Sequence, residues 1–488
     1  MGLIPAITFV HMFAKDFISY HTLSQSFAQY GSYSFSPVTG YGTSQTGLQA
    51  RAPLLPMILA VSTFSFGNSI FAIYLPFLLC RLLIVPLVFL VASYFLPLEI
   101  AFLASSMIIF FPKLQTFSLS AFEADSFVLV LYMMALMCYF GYKKTFRKLS
   151  LALCGLSLGS LSLVKELGLP ISIGFICAVA IEQILNSTLR KKERLKNILT
   201  IFIPFFLVAA PFFLFTFLKE GGLYFSAVTV DKSLRYLPSN LPFLLMTFPN
   251  YIGLDGLNLH IFPIKNFLFN FVVLICLFSG FINLIIKKNF TLIFPVLFTV
   301  CALGVTTSLA LGGKIVGNFE LITILAFAMP IVAIAIFRGF LVVTNFFIGK
   351  LNFTQRHARL ICLVLSMILM YKFINNFFSK PYTLDYAGDY YINFNTVLFD
   401  KGQFPTYSFS RDVEGNLIVN NMDLGITFIK NEYRSQKVPV FTNNFRTTIM
   451  VLTSLGVVYG LLISLLHTEK SFPFLQKKLK RFRRFFIL

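Results

Sequence analysis

The chain has 488 residues, 57% of them hydrophobic and only 12% charged, with 40 Lys and Arg against 19 Asp and Glu for a net charge of +21. A soluble globular chain carries about 25% charged residues. Composition therefore excludes an ordinary soluble protein, and apolar runs long enough to span a bilayer overrule the multi-domain soluble reading that length alone suggests. The basic residues sit in short clusters between apolar runs, which excludes nucleic acid as a partner and reads as the cytoplasmic loops of a multi-pass membrane protein. Phe reaches 61 residues while Trp is absent, so Phe and Tyr must take over the interfacial anchoring that Trp usually shares. The seven cysteines are not closely paired, and Cys80, Cys138, Cys154 and Cys177 lie inside apolar runs. They read as small buried hydrophobes rather than a disulfide or metal framework.

In chain order, residues 1–14 are apolar but too short to span. From Asp16 to Gly31, Phe17, Tyr20, Leu23, Phe27 and Tyr30 recur at helical spacing, which predicts an amphipathic helix lying in the interface, ended by Gly31. His11 and His21 flank it and read as interfacial. Residues 33–47 are rich in Gly, Ser and Thr and read as loop. A short apolar segment over 53–66 reads as re-entrant or interfacial. Spans are predicted over 70–92, 96–111, 126–141, 149–163, 168–184, 197–217, 265–286, 289–309, 320–345, 360–377 and 446–466. Several are short for a core of about 30 Å, which points to broken or partly embedded helices. Arg81 falls inside the first span. It either meets a carboxylate across the bundle or marks the inner end of a shorter span.

Alternating these spans places every basic cluster on the cytoplasmic side: Lys143, Lys144, Arg147 and Lys148; residues 190–196; Lys287 and Lys288; Lys350, Arg356 and Arg359; and the tail after Lys470. The same alternation places outside the loops 16–56, 113–125, 165–166, 219–264 and 312–320 and the polar segment 379–443, where the loop carboxylates concentrate. The expected organisation is a transmembrane module over 1–377 with its first outer loop at 12–66, then a small extracytoplasmic segment over 378–443, a last transmembrane helix over 444–466 and a basic cytoplasmic tail over 467–488. The segment before the last helix alternates like strand in YYINFNTVLF and GNLIVNN, and LIVNNMDLGITFI is expected to form a hairpin. Fold class is all-α polytopic membrane protein, a bundle of about 11–13 transmembrane helices with interfacial helices in the first outer loop and a small β-rich extracytoplasmic insert near the C-terminus. The cell (plasma or inner) membrane is the expected location.

The stretch from Asp16 to Pro56 holds one carboxylate. Asp16, Tyr20, Ala28, Gly31-Ser32-Tyr33, then Arg51-Ala-Pro53-Leu-Leu-Pro56 and Gly67 resemble the first outer loop of the GT-C membrane glycosyltransferases. The resemblance is nearest to the protein mannosyltransferase and aminoarabinose transferase branch. Phe122-Glu123-Ala124-Asp125 resembles that family's second acidic site, and Gly155, Gly159 and Leu163-Val-Lys165-Glu166 its glycine-rich helix followed by a cation. Asn318-Phe-Glu320 leading to Pro330 resembles a later helix, with Glu and Leu where Arg-Tyr is usual. Phe17 stands where the family commonly has a second acid. The resemblance covers about residues 16–345; the family also carries a transmembrane helix before its catalytic Asp, so either that span precedes residue 1 or the N-terminus lies outside.

What the resemblance implies is transfer of a sugar from a polyprenyl- or dolichyl-phosphate donor to a glycan, lipid or protein acceptor at the outer face. Such chemistry needs a carboxylate base for the acceptor hydroxyl, cations for the lipid phosphate and the departing oxygen, and an apolar groove for the isoprenoid among the membrane lipids. Asp16 is the candidate base, with Glu123 and Asp125 as the second acidic pair. Tyr20, Arg51, Lys165, Glu166 and Glu320 are the candidate substrate-binding residues. Plainer readings stand beside these. Asp16 suits a solvated loop acid or a helix N-cap, Asp125 a cap for the following span, and Arg51 and Lys165 snorkelling anchors. Lys165 could equally pair with Glu166. A divalent ion, Mg or Mn, is the one cofactor the resemblance implies, with Asp125, Asp255 and His260 as weak candidate ligands. A transporter or flippase of a lipid-linked or small polar substrate is the alternative function, and it would be favoured by inverted repeats and midplane charges.

Overall fold

The computed structural model describes residues 10–13, 20, 23–28, 31, 52–67, 70–108, 124–165, 167–186, 189–220, 230–232, 264–301, 307–311, 314–315 and 319–350, short strands between 382 and 438, and isolated positions around 364–371. Strand β1 is Val10–Phe13. Ten helices follow among the described residues. They are α1 (Leu54–Phe66), α2 (Ile70–Ala92), α3 (Leu98–Met107), α4 (Asp125–Thr145), α5 (Lys148–Ser162), α6 (Gly168–Leu185), α7 (Lys191–Glu220), α8 (Ile264–Ile286), α9 (Phe290–Thr299) and α10 (Phe319–Lys350). Strand β2 (Val230–Lys232) precedes α8, and β3 (Thr307–Leu311) and β4 (Lys314–Ile315) lie between α9 and α10. Among the described residues, five helices are long and apolar enough to cross a membrane, and a sixth span arises if the bent pair α8–α9 is taken as one. This is a multi-pass membrane protein.

Helices α4 and α10 form the centre. The apolar stretch of α10 is 83% buried inside the protein, whereas that of α7 is only 17% buried. A surface helix in a membrane has no need of a polar outer face, because lipid is as apolar as Leu. The exposed Phe202, Phe206, Leu207, Phe215 and Leu218 of α7 are therefore its lipid side. Phenylalanine fills the interior as well: Tyr132 of α4 meets Phe175 of α6 and Phe327 of α10 edge to face, at ring separations of 6.4 and 5.4 Å. Helices α8 and α10 approach through small residues. A Cβ on Gly339 would lie 1.6 Å from the Cys276 carbonyl oxygen, and one on Gly280 would lie 1.8 Å from that of Ala335. Close backbone packing replaces the hydrophobic drive that lipid cannot supply.

One buried carboxylate fixes the end of the bundle where the basic turns lie. Glu182 of α6 is 5% exposed in its side chain. Its Oε2 accepts the Tyr139 hydroxyl at 2.8 Å and pairs with the Lys143 ammonium at 2.5 Å. Its Oε1 accepts both the backbone N–H and the hydroxyl of Thr291, at 2.8 and 3.0 Å. The carboxylate thus satisfies an orphan donor in the first turn of α9 from a different helix. Beside it, Asn197 of α7 donates to Gln183 at 3.0 Å and accepts from Lys148 of α5. Arg338 of α10 donates to Asn283 of α8 and to the Phe95 carbonyl after α2, both at 2.9 Å.

Most sequence-predicted spans coincide with helices to within a few residues, and 53–66 is a short helix, α1. Three expectations change. The span expected over 289–309 is instead the ten-residue α9, bent 115° from α8, followed by strand at β3. Lys288, with φ of 57°, turns the chain at the break, and a helix of about 15 Å is too short for a core of about 30 Å. The amphipathic stripe expected over 16–31 is buried at Tyr20 and Leu23 but not at Phe27, which is 37% exposed, and Ser24 and Ser26 are buried as well; Phe17 and Tyr30 lie outside the described residues. Arg81 does not end a span: α2 continues past it to Ala92, and the residue is half-buried. The predicted spans 360–377 and 446–466 lie almost wholly outside the described residues.

The late insert is β-rich as expected, with strands β5 (Tyr382–Thr383), β6 (Tyr390–Asn393), β7 (Ser408–Arg411), β8 (Leu417–Asn420) and β9 (Lys437–Val438). Strand β8 pairs antiparallel with the upstream β7, Ser408 opposite Asn420, and the second arm of the hairpin expected within LIVNNMDLGITFI lies outside the described residues. Strand β6 pairs antiparallel with β1, Val10 opposite Asn393 and Phe13 opposite Tyr390, so the apolar N-terminal run is partly strand.

Two substitutions test this packing. Gly339→Val should lower the thermal midpoint of the detergent-purified protein by several degrees, since overpacking costs roughly 1–3 kcal/mol and here the obstacle is backbone. Glu182→Ala removes the acceptor for Tyr139, Lys143 and Thr291 together. A loss of about 3 kcal/mol is expected, read as a lower midpoint in the same unfolding experiment.

Candidate functional site

The candidate site lies at the end of the bundle opposite Glu182. Helices α4 and α5 form an antiparallel hairpin whose turn carries the basic residues 143–148. The other ends of the pair, Asp125 opening α4 and Lys165 following α5, therefore meet. The Lys165 ammonium stands 3.2 and 3.3 Å from the two carboxylate oxygens of Asp125. The side chains are 14% and 8% exposed, so the pair is largely removed from water, where the attraction between the charges is much stronger than at a surface.

This geometry chooses between the sequence readings. Asp125 does not cap the helix: the N-cap position is Ala124, and no side-chain capping bond is made there. Its carboxylate engages Lys165, and Lys165 in turn has Asp125 as a partner. The acid still lies in the first turn of α4, where the helix dipole favours negative charge. Helix α1 reaches the same place, because the Leu54 N–H donates to the Leu163 carbonyl at 3.0 Å. Ala52, next in the chain after Arg51, is fully buried. Tyr20 joins the same continuous core and is 1% exposed.

Asp16, Arg51, Glu123, Glu166, Asp255 and His260 lie outside the described residues. Glu320 lies in the first turn of α10 by its backbone. Of the expected acidic pair only Asp125 is placed, and of the expected cations only Lys165. Among the described residues, no group of three or more His, Cys, Asp and Glu comes together. The residue that sequence reasoning missed is Glu182. Its signal was a lone acid inside the apolar run 168–185, which in a membrane span is a marker of a specific partner.

Residues 50–213 match the model of the dolichyl-phosphate-mannose-protein mannosyltransferase family. That region runs from Arg51 through α1–α6 into α7 and contains the Asp125–Lys165 pair. Over this part of the chain the GT-C resemblance read from the sequence is borne out. Among solved structures, ArnT from Cupriavidus metallidurans in the apo state is similar at 12% identity and a TM-score of 0.46, over 70% of this chain and 61% of that one. ArnT from the same organism bound to undecaprenyl phosphate is similar at 15% identity and 0.44, over 75% and 62%. The archaeal oligosaccharyltransferase AglB from Archaeoglobus fulgidus, in complex with an inhibitory peptide and a dolichol-phosphate, is similar at 10% identity and 0.43, over 76% and 52%. The chain thus spans about half to three fifths of the length of these proteins. No curated protein matches the sequence.

Asp125→Asn should destabilise the protein by about 2 kcal/mol, since it leaves a largely buried ammonium without its anion. Lys165→Met combined with it should recover part of that loss. A thermal double-mutant cycle measures the coupling.

Proposed function

We propose that the chain is an integral membrane glycosyltransferase that moves a sugar from a polyprenyl- or dolichyl-phosphate carrier to an acceptor hydroxyl at the extracytoplasmic face. The observation that carries this reading is the family match over residues 50–213, the region that brings the Asp125–Lys165 pair together. In the proposed reaction the Asp16 carboxylate takes the proton of the acceptor hydroxyl. The acceptor oxygen bonds to the anomeric carbon as the bond from that carbon to the carrier phosphate oxygen breaks. The carrier leaves as a lipid phosphate, whose growing charge needs cations fixed in advance.

Lys165 and Arg51 are the proposed cations. The Lys165 ammonium, held by Asp125 at 3.2 Å, is pre-positioned at low entropic cost, and an arriving phosphate gives it a second anionic partner. Arg51 offers the bidentate fork that suits phosphate. Glu123 is the proposed second acid, and Tyr20, Glu166 and Glu320 the remaining substrate contacts. The lipid-facing helices supply the groove for the isoprenoid. In this scheme the module 1–377 is catalytic, the 378–443 insert lies on the same outer side, and the basic tail is cytoplasmic.

Transfer of radiolabel from a polyprenyl-phosphate sugar to a membrane acceptor, by the protein in lipid nanodiscs, is the direct test. Asp16→Asn should lower kcat by a factor on the order of 10²–10⁴ with unchanged protein level. Lys165→Gln should raise KM for the donor on the order of tenfold or more. Full activity in Asp16→Asn would remove the assigned base. Uptake of a solute into sealed vesicles with no transfer in any condition would instead identify a transporter.

A further inference from the structure

The basic turns at the Glu182 end do not merely lie on the same side; they converge. The turn 143–148 and the start of α7 meet where Lys148 bonds to Asn197, and Asn197 bonds to Gln183. The adjacent Glu182 binds Lys143 and the first turn of α9, which directly follows Lys287 and Lys288. Lys144, Arg147, Lys148, Lys192, Lys196 and Lys288 are all exposed. Glu182 is consumed by the four donor groups of Tyr139, Lys143 and Thr291, and Glu193 is the one exposed acid among the described residues of these turns.

Two helices also begin here with the wrong sign of charge. Helix α5 starts on Lys148 with no acidic residue in its first turn, and α7 starts on Lys191 and Lys192 with only Glu193. The N-terminal end of a helix carries a partial positive charge and favours anions. Cations placed there add to a field that the protein leaves unbalanced. Burial, and after it the Lys196 charge, hold the Lys148 ammonium below its usual range, with Glu193 opposing.

We infer that the junction of these turns binds the phosphodiester headgroups of anionic phospholipids in the leaflet facing it, through Lys144, Arg147, Lys148 and Lys196 at the starts of α5 and α7. The exposed apolar face of α7, which continues from this point as Leu195, Leu199, Phe202 and Phe206, gives the acyl chains of the same lipid a surface. Anionic headgroups attract clustered basic residues at a membrane surface, each cation strengthening the association roughly fivefold. The inference concerns the end opposite the candidate site and is independent of the transferase reading.

The test is retention of phosphatidylglycerol against phosphatidylcholine by the full-length protein purified from mixed micelles, read by native mass spectrometry of the protein–lipid complexes. The wild type should prefer phosphatidylglycerol, less so as salt is raised. Lys144→Gln/Lys148→Gln/Lys196→Gln should reduce the preference at least tenfold. The corresponding triple Arg variant, which keeps charge and changes shape, should retain it. Equal retention of both lipids by the wild type would overturn the inference, as would an unchanged preference in the Gln variant or a lost one in the Arg variant. Displacement of the lipid by millimolar glycerol phosphate would also overturn it, by showing a small-anion site instead.

Discussion

The helices at one end of this protein are held by a charge that an apolar run would normally exclude. A carboxylate inside a membrane span is expensive unless every lone pair is used. Glu182 uses both oxygens, each for two donors, and those donors belong to α4 and α9 while the acid itself belongs to α6. The reversal of the chain at Lys288 is possible because the turn that follows finds its hydrogen-bond acceptor ready-made. The position of α9 against α6, and of α8 against α10 through their small residues, follows from that anchorage.

The two ends of the bundle are built differently. At the Glu182 end, networks around Glu182, Asn197 and Arg338 cross-link eight of the ten helices or their adjoining turns. At the other end, the bonds between described elements include the Asp125–Lys165 pair, the Leu54–Leu163 backbone bond and the bonds of the Ser62 and Ser172 hydroxyls to the Ala72 and Leu158 carbonyls.

Helix positions were legible in the sequence because long apolar runs between basic clusters leave few alternatives. Residues 70–92 and 168–184 were placed almost to the residue. What misled was local. An apolar run over 289–309 looks like a span, but hydropathy does not register the positive φ of Lys288 or the partner that waits for Thr291. Over 16–31 the periodic apolar residues suggested a stripe, and burial follows it at Tyr20 and Leu23 but leaves Phe27 partly exposed and takes in Ser24 and Ser26. At the site, Asp125 and Lys165 were both singled out, yet separately. Their meeting depends on two helices of nearly equal length returning to the same height, which is a property of the hairpin and not of either motif. Glu182 was passed over because an isolated acid in a span carries no spacing to recognise.

The antiparallel pairing of β1 with β6 joins Val10 to Asn393, and this has a consequence for how the protein is made. A chain emerges from the ribosome at roughly 5–20 residues per second, so β1 is synthesised tens of seconds before its partner exists. Throughout that time the helices α1–α10 are made in order, while the edge of β1 waits for its partner. Open edges of this kind recruit whatever extended backbone is nearest. Pairing of β1 is therefore a late event in biogenesis, completed only once the insert that carries β6 has been made.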